Sequence, residues 1–163
     1  MTTAVDAACA AAWEAAAAVP DPELRVVSIA ELGILRDVAA DDRGVTVTIT
    51  PTYTGCPAMD VIRADVRRAL AAAGFPEAAV VTVLDPAWST DDITEAGRAK
   101  LAAAGVAPPT PRGAGPVPVA IGVRCPRCGA GDTEQLSRFG STPCKSLYRC
   151  RECAEPFDHF KTL

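Results

Sequence analysis

The chain has 163 residues, 49% of them hydrophobic and 22% charged, and a formal charge of −4. That length suits one medium domain with a small companion, and the charge divides unevenly, −6 over residues 1–118 and +2 over 119–163. An acidic body argues against a general nucleic-acid binder, and no run reaches the roughly 18 apolar residues that a membrane span needs.

Residues 3–18 are alanine-rich, with Val5, Cys9, Ala12, Trp13 and Ala16 at helical spacing on one apolar face. They predict a helix, with Cys9 in the core, that stops at Pro20 and Pro22. Asp6, Glu14 and the lack of a basic stretch make this segment a poor secretory signal. A hairpin follows: GILRDVAA, the turn DDRG at 41–44, and VTVTIT at 45–50, whose valines and isoleucine alternate with threonines. Met59, Ile62, Val66, Leu70 and Ala73 then form a stripe that predicts a helix over 57–73, ended by Gly74. VVTVL at 80–84 reads as a third strand and 91–104 as a further helix. The order α-β-β-α-β-α describes a compact α+β domain over residues 1–107.

Residues 108–118, PPTPRGAGPVP, contain five prolines and two glycines and read as a semi-rigid linker. The remaining segment, 119–163, is too short to fold readily on a hydrophobic core alone. It carries C-P-R-C at 125–128 and C-R-E-C at 150–153, with 21 residues between the pairs. Four thiolates so spaced can surround one ion, which makes Cys125, Cys128, Cys150 and Cys153 the ligands of a zinc ribbon. Such pairs point to a reducing cytoplasm and not to disulfides. Zinc is the prevalent metal of closed four-cysteine sites, and iron in a rubredoxin-like site is the alternative. Arg124, Arg127, Arg149 and Arg151 flank the ligands and offset their charge, so the basic balance does not by itself imply a nucleic-acid partner. Cys144 is a further thiol near the ligands: it could replace Cys150, contact a partner or be idle. His159, the single histidine, reads as a packing residue.

Cys56, in PTYTGCP, lies at a strand-to-helix junction just before Pro57. Proline favours the first helical position, so Cys56 is expected to cap the helix, with the helix dipole lowering its pKa. A small buried hydrophobe is the other reading. Asp21, Glu23, Glu31 and Asp85 are the acids that could accompany it. The first 118 residues hold no histidine, phosphate loop or serine-nucleophile motif, so no catalytic set is recognisable.

DPEL at 21–24, SIAELGILRDV at 28–38, TYTGCP at 52–57, DPAWSTDDITEAGRAKLAAAGVAPP at 85–109 and CPRCG…FGSTPCKSLYRCRECAEPFDHFK carry a resemblance across nearly the whole chain. It resembles the PaaD branch of the SufT-type domain family. The resemblance implies a bacterial cytoplasmic accessory component, not an enzyme itself, of the multicomponent phenylacetyl-CoA epoxidase in phenylacetate degradation. It implies iron–sulfur cluster assembly on a client, the flavin and iron–sulfur reductase of that system, and maps the family's motif cysteine onto Cys56 and its acidic turn onto Asp21 and Glu23. Cys56 would then bind iron or a cluster transiently, because one soft ligand holds weakly where four hold tightly. Two other readings stand beside it: a rubredoxin-like electron-transfer subunit, and a regulator that binds DNA through the ribbon. The sequence leaves homo-oligomer formation open.

Overall fold

The computed structural model describes residues 2–110 and 122–162, with side chains described from residue 5 onward. Residues 111–121, most of the expected linker, lie outside the described residues. Helix α1 (Thr2–Ala17) and strands β1 (Leu35–Asp41) and β2 (Gly44–Ile49) come first; helix α2 (Ala58–Ala72) and strand β3 (Ala79–Thr82) follow. β1 and β2 pair antiparallel through the tight turn at 41–44, and α2 crosses over to bring β3 parallel to β2. Val45, Val47 and Ile49 point into the core, as their alternation with threonine requires. Ile62, Val66 and Leu70 of α2 are fully buried against them, each side chain contributing about 1.5–3 kcal/mol.

Three expectations need correction. Val5 and Trp13 are exposed, at 37% and 41%, while Ala12 and Ala16 are fully buried. α1 meets the core through small side chains that allow close approach, and an indole on that stripe would hold the helix off. Ala73 is likewise exposed, lying just past the end of α2. The helix expected over 91–104 is two pieces, a 3-10 turn (Thr90–Asp92) and helix α3 (Glu95–Ala103). Ser89 and Asp92 form a capping box around the first, and the Thr94 hydroxyl accepts the Gly97 N–H to start the second.

Strands β4 (Val106–Ala107), β5 (Thr133–Ser137), β6 (Lys145–Cys150) and β7 (Pro156–Phe160) form a second sheet in the order β4-β7-β6-β5. β4 belongs to the first segment yet pairs parallel with β7. Phe160, 1% exposed, packs in the main core with its ring centroid 6.1 Å from that of Trp88, whose indole N–H donates to the Leu32 carbonyl at 2.8 Å. Cys144 is buried in the same core. The ribbon is therefore docked on the α/β layer through shared side chains.

Gly33 makes the closest approach in the first segment. Its φ is +72°, and a Cβ there would lie 2.6 Å from the Asp92 carbonyl oxygen. Gly33→Ala should destabilise the fold by about 2 kcal/mol or more, through both strain and displacement of the 90–92 turn. A denaturant midpoint equal to that of the parent would contradict this.

Candidate metal centre and thiol pocket

The two C-x-x-C turns bring four sulfurs together. The ligand atoms of Cys125, Cys128, Cys150 and Cys153 all lie within 4.8 Å of one another, with Cys125–Cys153 at 3.8 Å and Cys128–Cys150 at 3.6 Å. A tetrahedron with metal–sulfur bonds of about 2.3 Å has sulfur–sulfur edges of about 3.8 Å. The four residues therefore fit one central ion. A polynuclear cluster, with a thiolate on each of several irons, would spread them further apart.

The turns are built alike despite different residues. Gly129 has φ 78° and Ala154 takes φ 62°, a left-handed conformation that costs an alanine roughly 1–2 kcal/mol. It aims the next N–H at sulfur: Ala130 toward Cys128 and Glu155 toward Cys153. Burial raises the Cys125 thiol, but the N–H groups of Cys128 and Arg127 outweigh it and bring its pKa to about 7. The Ala130 N–H favours a Cys128 thiolate, yet burial and the neighbouring sulfurs push that pKa up to about 12. A thiolate forms readily at Cys125, and a bound cation would stabilise thiolates around it. Cys144 is not in this group, which removes it as a substitute for Cys150. Two of the flanking arginines pair with acids: Arg127 with Glu155 at 3.9 Å, and Arg151 with Asp132 at 3.7 Å and Glu134 at 3.2 Å. His159 is a half-buried packing residue, edge-on to Tyr148 at 5.5 Å.

The second feature is a small cavity of about 20 Å³ beneath the ribbon. Cys56, Asp21, Glu23 and Cys144 line it together, with Met59 and Phe160 among its apolar walls. The sequence motifs group Cys56 with Asp21 and Glu23 and leave Cys144 a spare thiol; the fold brings all four together. The carboxylate of Asp21, 6% exposed, accepts the N–H groups of Glu23 at 2.9 Å and Leu24 at 2.7 Å. That fixes the DPE turn and turns Glu23 toward Cys144, whose sulfur lies 3.9 Å from the Glu23 carboxylate. Glu31 and Asp85 are not part of the group. Glu31 closes a capping box with Ser28 and binds Lys100 at 2.6 Å.

Cys56 differs from expectation. The N-cap of α2 is Pro57, whose own conformation is already helical, so Cys56 stands one residue outside the helix. Its thiol pKa is raised, not lowered. Burial is the largest cause, and it outweighs the Ala58 N–H and the Thr52 hydroxyl, while the charges of Glu23 and Asp21 raise it further. Cys144 is raised by burial too, against a hydrogen bond from Thr142 and with Glu23 raising it. Burial raises both carboxyls as well. All four titratable groups of the pocket thus have their pKa displaced upward, with burial as the largest cause.

Iodoacetamide should therefore modify Cys56 more slowly at neutral pH than a free cysteine, because only the thiolate attacks. Its rate should climb through a pH above the ordinary thiol range near 8.5. A fast reaction at pH 7 would contradict the burial.

Similarity to other proteins follows the same division. Residues 9–85 match the family model of the iron–sulfur cluster assembly protein, and residues 111–161 that of the PaaD zinc beta ribbon domain. A protein of Escherichia coli K12, provisionally assigned as the D component of 1,2-phenylacetyl-CoA epoxidase, is 42% identical over 93% of this chain and 91% of its own. The chain belongs to the PaaD family. The iron–sulfur protein maturation auxiliary factor YitW of Bacillus subtilis is 38% identical, over 51% of this chain and 82% of its own. The crystal structure of a domain of unknown function, DUF59, from Bacillus anthracis superposes with a TM-score of 0.57 at 31% identity, covering 62% of this chain and 97% of that one. PaaD-type architecture is thus an assembly-type α+β layer with a four-cysteine zinc ribbon docked upon it. Among the described residues, no helix is long and apolar enough to cross a membrane.

Proposed function

We propose that this chain is a non-catalytic maturation factor of a phenylacetyl-CoA epoxidase system, helping to place iron–sulfur clusters on its reductase component. The observation that carries the reading is the pocket: the Cys56 thiol, a group of a kind that can bind metal, lines a space of about 20 Å³ together with two acids and a second thiol, enough for an ion or a water but not an organic substrate. Similarity to a D component of that epoxidase and to a maturation factor supports the client and the task. The four-cysteine group would hold a zinc ion, whose part is structural: a closed set of four thiolates leaves no open position for chemistry. Arg127 and Arg151 beside it are tied to acids, which takes their charge away from a nucleic-acid surface. We place the α+β unit at residues 1–107 and the ribbon at 119–163, joined by the proline-rich 108–118.

Turnover with a pre-loaded reductase tests this reading. Oxygenase and a reductase already carrying its cluster should reach full epoxidation without this chain. A stoichiometric requirement for the chain in every turnover would make it an electron-transfer subunit instead, and iron in its four-cysteine site would accompany that result.

A further inference from the structure

The loop that presents Cys144 is held on all sides. The Gly140 N–H donates to the Lys145 carbonyl at 2.8 Å, and the Lys161 N–H to the Cys144 carbonyl at 2.9 Å. The Lys161 ammonium donates to the Pro143 carbonyl at 2.8 Å. Gly140 leaves no room for a side chain, since a Cβ would lie 2.8 Å from Asp158 Oδ1. Facing it, the Asp21 carboxylate pins the turn bearing Glu23, and the Cys56 turn is closed by its N–H donating to the Tyr53 carbonyl at 3.2 Å. Three ligand-type side chains from three separated segments thus line one small cavity on fixed backbones, with the Cys144 sulfur 3.9 Å from the Glu23 carboxylate. Nothing in the four-cysteine centre requires this arrangement.

We infer that the ribbon completes a second metal site, in which Cys144 and Glu23 join Cys56 as ligands of a single divalent iron carried as cargo. The identity of the metal rests on the function proposed above; the site rests on the geometry. Two thiolates and one carboxylate suit Fe²⁺, a cation between soft and hard in its preferences. Three protein ligands leave a coordination position open, as four would not, so a client thiolate can enter before the ion leaves. On binding, each thiol forms its sulfur–iron bond by releasing its proton to solvent, and the iron keeps its oxidation state. Three anionic ligands around Fe²⁺ sum to −1. Lys145, buried and paired with Asp158 at 3.2 Å, is the cation whose field acts on Glu23 and Cys144. Asp21 is a positioning residue: its oxygen is committed to backbone N–H groups. The ribbon's contribution is then a ligand as well as a fold.

The experiment is an anaerobic titration of the full chain, zinc already in its four-cysteine site, with Co²⁺ as probe and then Fe²⁺. One further equivalent of Co²⁺ should bind with a thiolate-to-metal charge-transfer band while the zinc is retained. Cys144→Ser and Cys56→Ser should each lose about half of that band and weaken binding at least tenfold, Glu23→Gln should weaken binding and keep the band, and Cys9→Ser should change neither. Should a variant fail to fold, alkylation of the parent read by mass spectrometry decides the matter: bound metal should protect Cys56 and Cys144 together. No second equivalent, Co²⁺ that only displaces zinc, a Cys144→Ser protein that binds like the parent, or protection of Cys56 alone would each overturn the site. Its fate is separable from that of the function: a second equivalent bound by a chain the reductase does not need leaves the site standing and the maturation role lost.

Discussion

Removing the metal from the ribbon should unfold the ribbon and leave the α/β layer folded. Zinc contributes about 10–16 kcal/mol to small zinc-dependent modules, and the second apolar cluster that remains here is small: Ala107, Cys125, Cys150 and Phe157, with three half-buried neighbours. Chelation, or Cys150→Ser, should abolish slow amide exchange in β5, β6 and β7. α1, α2 and β1–β3 should keep theirs, because their core of Val47, Ile49, Ile62, Val66 and Leu70 is built within residues 1–107. The junction should report the event. Trp88, 7% exposed, loses Phe160 as its cover, so its fluorescence should shift to the red. A metal-free chain that keeps protection in β6 and β7 would show that docking alone holds the ribbon.

Replacing Cys56 by alanine should do the opposite, sparing the fold and removing the function. The side chain is half-buried and its sulfur accepts the Ala58 N–H at the start of α2, a contact whose loss should cost about 1 kcal/mol. Zinc content should stay at that of the parent. Cluster loading of the reductase should fall about tenfold, because the pocket would keep only one of the two thiols proposed to hold iron. An alanine variant that unfolds would make Cys56 a core residue; one that loads the reductase fully would move the role elsewhere.

What the sequence disclosed was whatever depends on short-range pattern. The VTVTIT alternation, the Met59–Leu70 stripe and the spacing of the four ligand cysteines each have a periodicity or separation that a local rule interprets. Contacts between distant segments had no such signal. Glu23 and Cys144 are 121 residues apart, and nothing local to either says that the ribbon folds back over the DPE turn. The Cys56 thiol shows the consequence. Its neighbours in sequence, glycine before and proline after, suggest a helix cap with a lowered pKa, whereas walls from the DPE turn and the ribbon half-bury it and reverse the direction of that shift. Trp13 fails for a related reason: helical spacing gives a face, but whether that face admits an indole depends on how closely its partners approach.

The most direct measurement is the iron and acid-labile sulfide bound per reductase when that protein is produced alone, with this chain, and with its Cys56→Ala form. The maturation reading predicts full loading only beside the parent chain, with the alanine form no better than none. Equal loading in all three would contradict it.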